Sequence, residues 1–283
     1  MHTESNWNRE FTFTDKDFHI LQRLANKHTG ISLSDAKREL VYSRLTRRLR
    51  KLNLNKFSVY CQLLQDEANS EELVHFTNAI TTNLTSFFRE PHHFEYLTKN
   101  VCFQFKNDPS AGKRLRIWSA GCSTGEEPYS IAMSLVDTLP SAEHLNIKIL
   151  ATDLDSNVLS KAINGIYIRD KIKTIASDRL KKYFYKSEDL HSNQLHINSQ
   201  LKRLITFKQL NLMHEWPMKG PFDAIFCRNV VIYFDKPTQR ILIERYANLL
   251  REGGYLFLGH SESLFKVTDR FKLVGQTIYQ KIK

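Results

Sequence analysis

Apolar positions recur at helical spacing over residues ~14–82, and from ~113 they form strand-length runs alternating with helical stretches. Thr14-Asp-Lys-Asp17 has the form of a capping box with Asp in its last place, and Phe18, Leu21 and Leu24 follow on one face. Gly30 ends that helix, and Ser34 is placed to cap the next. The second helix carries Val41, Leu45, Leu49 and Leu52 as one stripe. Strands are expected at 115–119, 147–152, 204–208, 223–227, 255–259 and 277–281, with helices at about 127–138, 156–163 and 237–250. This alternation predicts an α/β fold with a mostly parallel sheet flanked by helices. Residues 183–203 break the rhythm and predict a small antiparallel excursion. No internal repeat stands out.

The bulk composition narrows the class. A chain of 283 residues with 41% hydrophobic and 25% charged residues is ordinary for a globular protein. The longest apolar runs fall well short of the ~20 residues that span a bilayer. The N-terminus is polar and lacks an apolar signal core, so a cytoplasmic location is expected. Cys61, Cys102, Cys122 and Cys227 are scattered, without metal or redox spacing. His92 and His93 are adjacent, and neighbouring helical side chains are not expected to face one site, so no metal is expected.

The net charge of +11 points to an acidic partner. Residues 35–56 alone carry an excess of six positive charges. On the second helix, Lys37, Arg44, Arg47, Arg48 and Lys51 fall on a face about 100° around from the apolar stripe. Charge runs are often just solvated faces. Five cations with no interleaved acid exceed what solubility requires, which favours a binding face.

The densest chemistry follows the first predicted strand, in Ser119-Ala-Gly-Cys-Ser-Thr-Gly-Glu-Glu-Pro128. A glycine turn between a first parallel strand and a helix is a frequent nucleotide-cofactor site. A phosphate loop would place Lys and Ser or Thr after its last glycine, whereas here Glu126 and Glu127 follow Gly125. Two carboxylates suit a helix N-terminus but repel a pyrophosphate. The purely structural alternative is a helix cap made by Thr124 or Ser123. The second strand ends in Ala151-Thr-Asp-Leu-Asp155, where Asp153 is placed to accept ribose hydroxyls; its structural alternative is a helix N-cap. A ribose acid without a pyrophosphate cradle fits S-adenosylmethionine. The fourth strand ends in Arg228, Asn229 and Tyr233, polar groups at the same sheet edge. Thr81-Thr-Asn-Leu-Thr-Ser-Phe-Phe-Arg-Glu90 lies between the two halves of the chain, with a capped interdomain helix as its structural alternative.

Together with Pro221–Val230, Ile232–Asp235 and Gly259-His-Ser-Glu262, these blocks resemble the CheR family of chemotaxis receptor glutamate methyltransferases, from residue ~15 onward. The resemblance implies a Rossmann-like S-adenosylmethionine-dependent methyltransferase sheet, an all-helical N-terminal domain and an inserted β-subdomain. The corresponding boundaries are a flexible N-terminus at 1–13, the helical domain and linker at 14–90, and the methyltransferase domain at 91–283 with its insertion near 183–203. Carried over by motif, cofactor contacts fall on Asn83, Thr85, Arg89, Glu127, Asp153, Asn211, Leu212, Asn229 and Val230. The turn adds Ala120 and Gly121 to these, and the strand end adds Arg228. Arg89 and Tyr233 are the residues expected beside the transferring methyl, Arg89 shaping the cofactor end and Tyr233 orienting the incoming carboxylate.

The resemblance further implies the cytoplasmic domain of a chemotaxis receptor as substrate, docked on Lys37, Arg44, Arg47, Arg48 and Lys51. S-adenosylhomocysteine would be the second product and the enzyme a monomer. Some members also hold a receptor C-terminal peptide on the β-subdomain through a glycine-bearing loop, and residues 186–193 here contain no glycine. Two other readings start from the same residues: a nucleic-acid methyltransferase and a non-catalytic S-adenosylmethionine- or receptor-binding adaptor. The first is disfavoured because Asn229-Val-Val-Ile-Tyr233 lacks the prolines of amine-methylating enzymes, and no base-stacking aromatics are evident. The second is disfavoured by Arg89, Asp153 and Tyr233 at the matched positions.

Overall fold

Thr14 and Asp17 start the first helix by exchanging hydrogen bonds: the Asp17 N–H donates to Thr14 Oγ1 (3.2 Å) and the Thr14 N–H to Asp17 Oδ2 (2.9 Å). In the computed structural model, which describes residues 9–107, 114–139, 142–187 and 193–283, the chain divides into two units after Thr82. The first unit holds α1 (Asp15–Thr29), α2 (Arg38–Lys51), α3 (Phe57–Gln65) and α4 (Ser70–Ile80). Gly30, at φ +73°, closes α1 with its N–H on Asn26 O. Ser34 makes no side-chain cap, and a single 3-10 turn, Asp35–Lys37, precedes α2 instead. Phe18, Leu21, Val41, Leu45 and Leu49 are buried as the stripes require.

Two details of this unit depart from the sequence expectation. Residues 9–13 are not a free tail: Phe11 and Phe13 are only 8% and 6% exposed. Phe13 packs its ring 4.4 Å from Phe57, and the Phe57 N–H donates to Thr12 O (3.3 Å). The second departure concerns the basic face. Arg48 is a core ion-pair member, its Nε donating to Glu72 Oε1 (3.0 Å), which also accepts the Tyr60 hydroxyl (2.8 Å). Arg44 donates to the carbonyls of Ile80 (2.8 Å) and Thr81 (2.7 Å), where α4 runs out of internal donors. Lys37, Arg47 and Lys51 remain exposed.

The second unit begins with Asn83–Glu90, which is irregular rather than an interdomain helix, because it lies along the loops of the sheet. Phe87 packs its ring 4.9 Å from Tyr167, and the Phe88 N–H donates to Ser130 Oγ (3.0 Å). The unit continues with α5 (Pro91–Tyr96), α6 (Phe103–Asn107), β1 (Arg114–Ala120), α7 (Glu126–Thr138), β2 (Asn146–Asp153) and α8 (Ser156–Asn164). Next come β3 (Ile166–Ile168), α9 (Ser177–Tyr183), β4 (Phe184–Lys186), β5 (Gln194–Ile197), α10 (Ser199–Lys202) and β6 (Ile205–Gln209). The chain ends with β7 (Phe222–Cys227), α11 (Lys236–Leu249), β8 (Leu250–Leu258), β9 (Phe271–Gly275) and β10 (Ile278–Lys281).

The main sheet has the order β6-β2-β1-β7-β8-β10-β9, parallel from β6 to β8, with β10 and β9 antiparallel. Leu115, Ile117, Trp118 and Ala120 of β1 are all buried, as a central strand covered on both faces demands. The order reverses at β1, between β2 and β7, which opens a crevice at the carboxyl ends of these strands.

The excursion is an antiparallel sheet of order β3-β5-β4. It starts at Ile166 rather than 183, because the three-residue β3 is too short to show a period of its own. Of the glycine-free loop at 186–193, residues 188–192 lie outside the described residues.

Phe13→Ala removes a buried ring from the helical unit and should cost about 3–5 kcal/mol. Urea unfolding followed by circular dichroism measures it, and a loss below about 0.5 kcal/mol would mean that the segment does not pack.

Candidate functional site

The turn after β1 is built on backbone hydrogen bonds to β2. The Gly121 and Cys122 N–H groups both donate to Thr152 O (2.8 and 2.9 Å). The Ser123 N–H then donates to Asp153 Oδ2 (2.7 Å), while Asp153 Oδ1 accepts the Asp155 N–H (2.9 Å). Asp153 is not the cap of α8; Asp155 takes that place, accepting from Asn157 N–H (2.9 Å) and, through Oδ2, from Asn83 Nδ2 (2.8 Å). Burial pushes the Asp153 carboxyl up to about 6, against the pull of its N–H donors.

Neither Thr124 nor Ser123 caps α7. Its N-cap is Gly125 at φ +97°, without a side-chain hydrogen bond, and Thr124 Oγ1 donates to Glu126 Oε2 instead (2.6 Å). Gly121, at φ +86°, serves a close approach within the protein: a Cβ there would stand 2.4 Å from Val230 Cγ2. Ala120 is buried below it.

Charge is concentrated where β7 ends. The Arg228 side chain is only 2% exposed, with Nη1 3.1 Å from Glu127 Oε2 and Nη2 3.3 Å from Glu90 Oε2. Nη2 also donates to the Arg89 carbonyl. The other oxygen of Glu127 accepts the Ser119 hydroxyl (2.7 Å). Burial raises the Glu127 pKa, and Arg228 and Ser119 pull it back. Burial acts the same way on Glu90, but hydrogen bonds from His260 and the charge of Arg228 hold it down near 2. Both carboxylate oxygens of Glu127 therefore have protein partners, and Arg228 acts as a tie between loops. Neither Glu90 nor His260 is marked as a site residue by local sequence pattern. Their signal lies in the matched blocks, since Glu90 closes one and His260 lies in another.

The remaining candidates lie on the same loops. Asn83 accepts the Ser123 hydroxyl through its carbonyl (3.1 Å), and half-buried Thr85 follows two residues later. Arg89 Nη1 donates to Leu84 O (2.9 Å). After β6, the Leu210 N–H donates to Asp153 O (2.9 Å), leading into half-buried Asn211 and buried Leu212. Asn211 Oδ1 accepts the Met213 N–H (2.9 Å), and Leu212 O accepts Arg245 Nη1 (2.6 Å). Tyr233 is half-buried on a one-turn 3-10 helix, Val231–Tyr233. Asn229 adopts φ +60°, and its Oδ1 is buried without a partner among the described residues.

These groups suit a cationic, hydroxyl-bearing ligand: the crevice carries the Asp153 carboxylate and the Asn229 amide oxygen, which has no partner among the described residues. Lys37, Arg44, Arg47, Arg48 and Lys51 belong to the other unit.

His92 and His93 do converge, contrary to the helical-spacing argument, because α5 begins there and both Nε2 atoms reach the Gln276 carbonyl (3.2 and 3.1 Å). With Glu90 they could offer ligand atoms within 4.8 Å of one another. The Arg228 guanidinium beside Glu90 opposes a second positive charge at that place.

Two family models account for most of the chain. Residues 16–81 match the CheR methyltransferase all-alpha domain, and residues 83–280 match the CheR methyltransferase SAM binding domain. Among its relatives, the chemotaxis protein methyltransferase 2 of Pseudomonas aeruginosa is 44% identical over 96% of this chain and 95% of the relative. The chemotaxis protein methyltransferase of Escherichia coli is 43% identical over 94% and 91%. That of Salmonella typhimurium is 42% identical over 96% and 92%.

Arg228→Ala would leave Glu127 and Glu90 buried without their cation and should cost about 3–5 kcal/mol. Thermal unfolding of the variant measures it; an unchanged midpoint would show that the tie carries no weight.

Proposed function

This chain belongs to the CheR methyltransferase family, with S-adenosylmethionine as its cofactor, and we propose from that premise that it esterifies glutamate side chains on the cytoplasmic domain of chemotaxis receptors. The observation that carries this reading is the crevice at the strand-order reversal, where Asp153, Asn229 and Tyr233 stand on adjoining loops. S-adenosylmethionine, when bound, supplies a methyl on a sulfonium sulfur that departs as a neutral thioether. Asp153 would accept the ribose hydroxyls, and Asn229 Oδ1 a donor of the cofactor. Asn83, Thr85, Ala120, Gly121, Glu127, Asn211, Leu212, Arg228 and Val230 would line or brace the same crevice.

A glutamate carboxylate, with a pKa near ~4.3, is already ionised at neutral pH. Its attack on the methyl therefore needs no general base. What the protein must supply is alignment, and well-held reactants gain up to ~7–11 kcal/mol in this way. The Tyr233 hydroxyl would donate to the incoming carboxylate. Arg89, held on the Leu84 carbonyl, would shape the cofactor end without clamping the nucleophile. A cation bound tightly to that carboxylate would lower its nucleophilicity.

On the helical unit, the exposed cations Lys37, Arg47 and Lys51 form the face for an acidic receptor helix. Arg44 and Arg48 shape that face from within, since their guanidinium groups hold α4 and Glu72. The small sheet offers a second contact for a receptor C-terminal peptide. Its order leaves β3 and β4 at the edges, the arrangement that accepts an added strand. Ile166, Ile168 and Tyr185 are exposed there, with Tyr185 stacked 5.2 Å from His196. Among the described residues no helix is long and apolar enough to cross a membrane.

Incubation with methyl-labelled S-adenosylmethionine, receptor-bearing membranes and DNA tests the reading. Base-labile label on receptor protein is expected; label on DNA, or none, would overturn it. Tyr233→Phe should lower kcat about 10–100-fold, and a wild-type rate would remove the role given to its hydroxyl. The double variant Arg47→Glu with Lys51→Glu should weaken receptor methylation most at low salt, because exposed charges are screened within ~8–10 Å at physiological ionic strength. Its S-adenosylhomocysteine affinity should stay at the wild-type value. A uniform loss at all salt concentrations would count against the docking face.

A further inference from the structure

Glu262 lies four residues past the end of β8, in a turn closed by its own N–H on Gly259 O (2.9 Å). Its carboxylate is buried and gathers backbone donors from two separate loops. Oε2 accepts the N–H of Gly259 (2.6 Å) and of Asn229 (2.9 Å), and Oε1 accepts the N–H of Ile232 (3.1 Å). Burial raises the Glu262 pKa, and these N–H donors pull it back toward the ionised form.

The loop held in this way needs outside support. Asn229 is a non-glycine residue in the left-handed region, at φ +60°. Ile232 belongs to the single 3-10 turn Val231–Tyr233, whose leading N–H groups have no acceptor within the turn. The other loop is pressed against it, since a Cβ on Gly259 would stand 2.4 Å from Asn229 Nδ2 and 2.8 Å from Asn229 N. One carboxylate therefore satisfies the donors at both ends of the segment that carries Asn229 and leads to Tyr233.

We propose that Glu262 is a positioning residue for methyl transfer: its carboxylate locks the Asn229–Tyr233 turn and thereby aims the Asn229 amide and the Tyr233 hydroxyl. This rests on the roles given to those two residues above. Glu262→Gln keeps the shape but places an amide N–H₂, a donor, against backbone N–H groups that need an acceptor.

The test is a double-mutant cycle on the full chain, with Glu262→Gln, Tyr233→Phe and both together. It reads kcat, KM for the receptor, calorimetric affinity for S-adenosylhomocysteine and the thermal midpoint. Glu262→Gln should lower kcat about 10-fold or more and weaken S-adenosylhomocysteine about threefold or more, and its kcat loss should largely vanish in the Tyr233→Phe background. A kcat within twofold of wild type, an unchanged S-adenosylhomocysteine affinity, or additive losses in the double variant would overturn the proposal. A wild-type rate in Tyr233→Phe alone strikes instead at the role of Tyr233. Should Glu262→Gln fail to fold, Glu262→Asp, which keeps the charge at shorter reach, carries the same cycle with the same criteria.

Discussion

A guanidinium buried at the end of a parallel strand has to find its counter-charges in the loops around it, because leaving a charge unpaired in a dry interior is costly. Arg228 meets this demand by drawing two segments to the strand end: the start of α7 through Glu127, and the segment before α5 through Glu90 and the Arg89 carbonyl. Ser119 and His260 then satisfy the outer oxygens of the two acids. The crevice wall is therefore a charge network first. The chemistry of the site is placed on whatever that network leaves facing inward.

The same logic recurs with the sign reversed. Asp153, Asp155 and Glu262 are buried carboxylates that collect backbone N–H groups from loops with no regular pairing of their own. Charge-assisted bonds of this kind are stronger than neutral ones, so a few acids can hold irregular backbone at the sheet edge. Burial raises the pKa of Asp153 to about 6, as expected of a buried acid beside a crevice that receives a polar ligand. Asn229 completes the picture with a buried amide oxygen that no described residue satisfies.

The helical unit shows how a net charge overstates a binding face. Counted along the chain, the face running from Lys37 to Lys51 presents five cations; in three dimensions two of them, Arg48 and Arg44, are spent on Glu72 and on the carbonyl end of α4. The remaining cations, Lys37, Arg47 and Lys51, stay exposed. Arg9, Arg38 and Arg50 likewise pair with Glu39, Asp15 and Glu10.

Periodicity and turn residues determined much of this protein without help from tertiary structure. The Thr14 cap, the Gly30 stop, the Val41–Leu49 stripe and the central strands were legible because each is a local pattern with a local physical cause. The glycine turn and Asp153 were legible because a missing lysine and a strand-end acid already limit the ligand. What only the tertiary structure decided depends on contacts between residues far apart in sequence. Arg48 meets Glu72 across 24 positions and Arg228 meets Glu127 across 101, so their burial left no trace in composition. Glu262 holds Asn229 across 33 positions, and Phe13 needs Phe57 to be a core residue at all. A chain can announce its helices, strands and turns through neighbours, but pairing at a distance exists only once the sheet has brought the loops together.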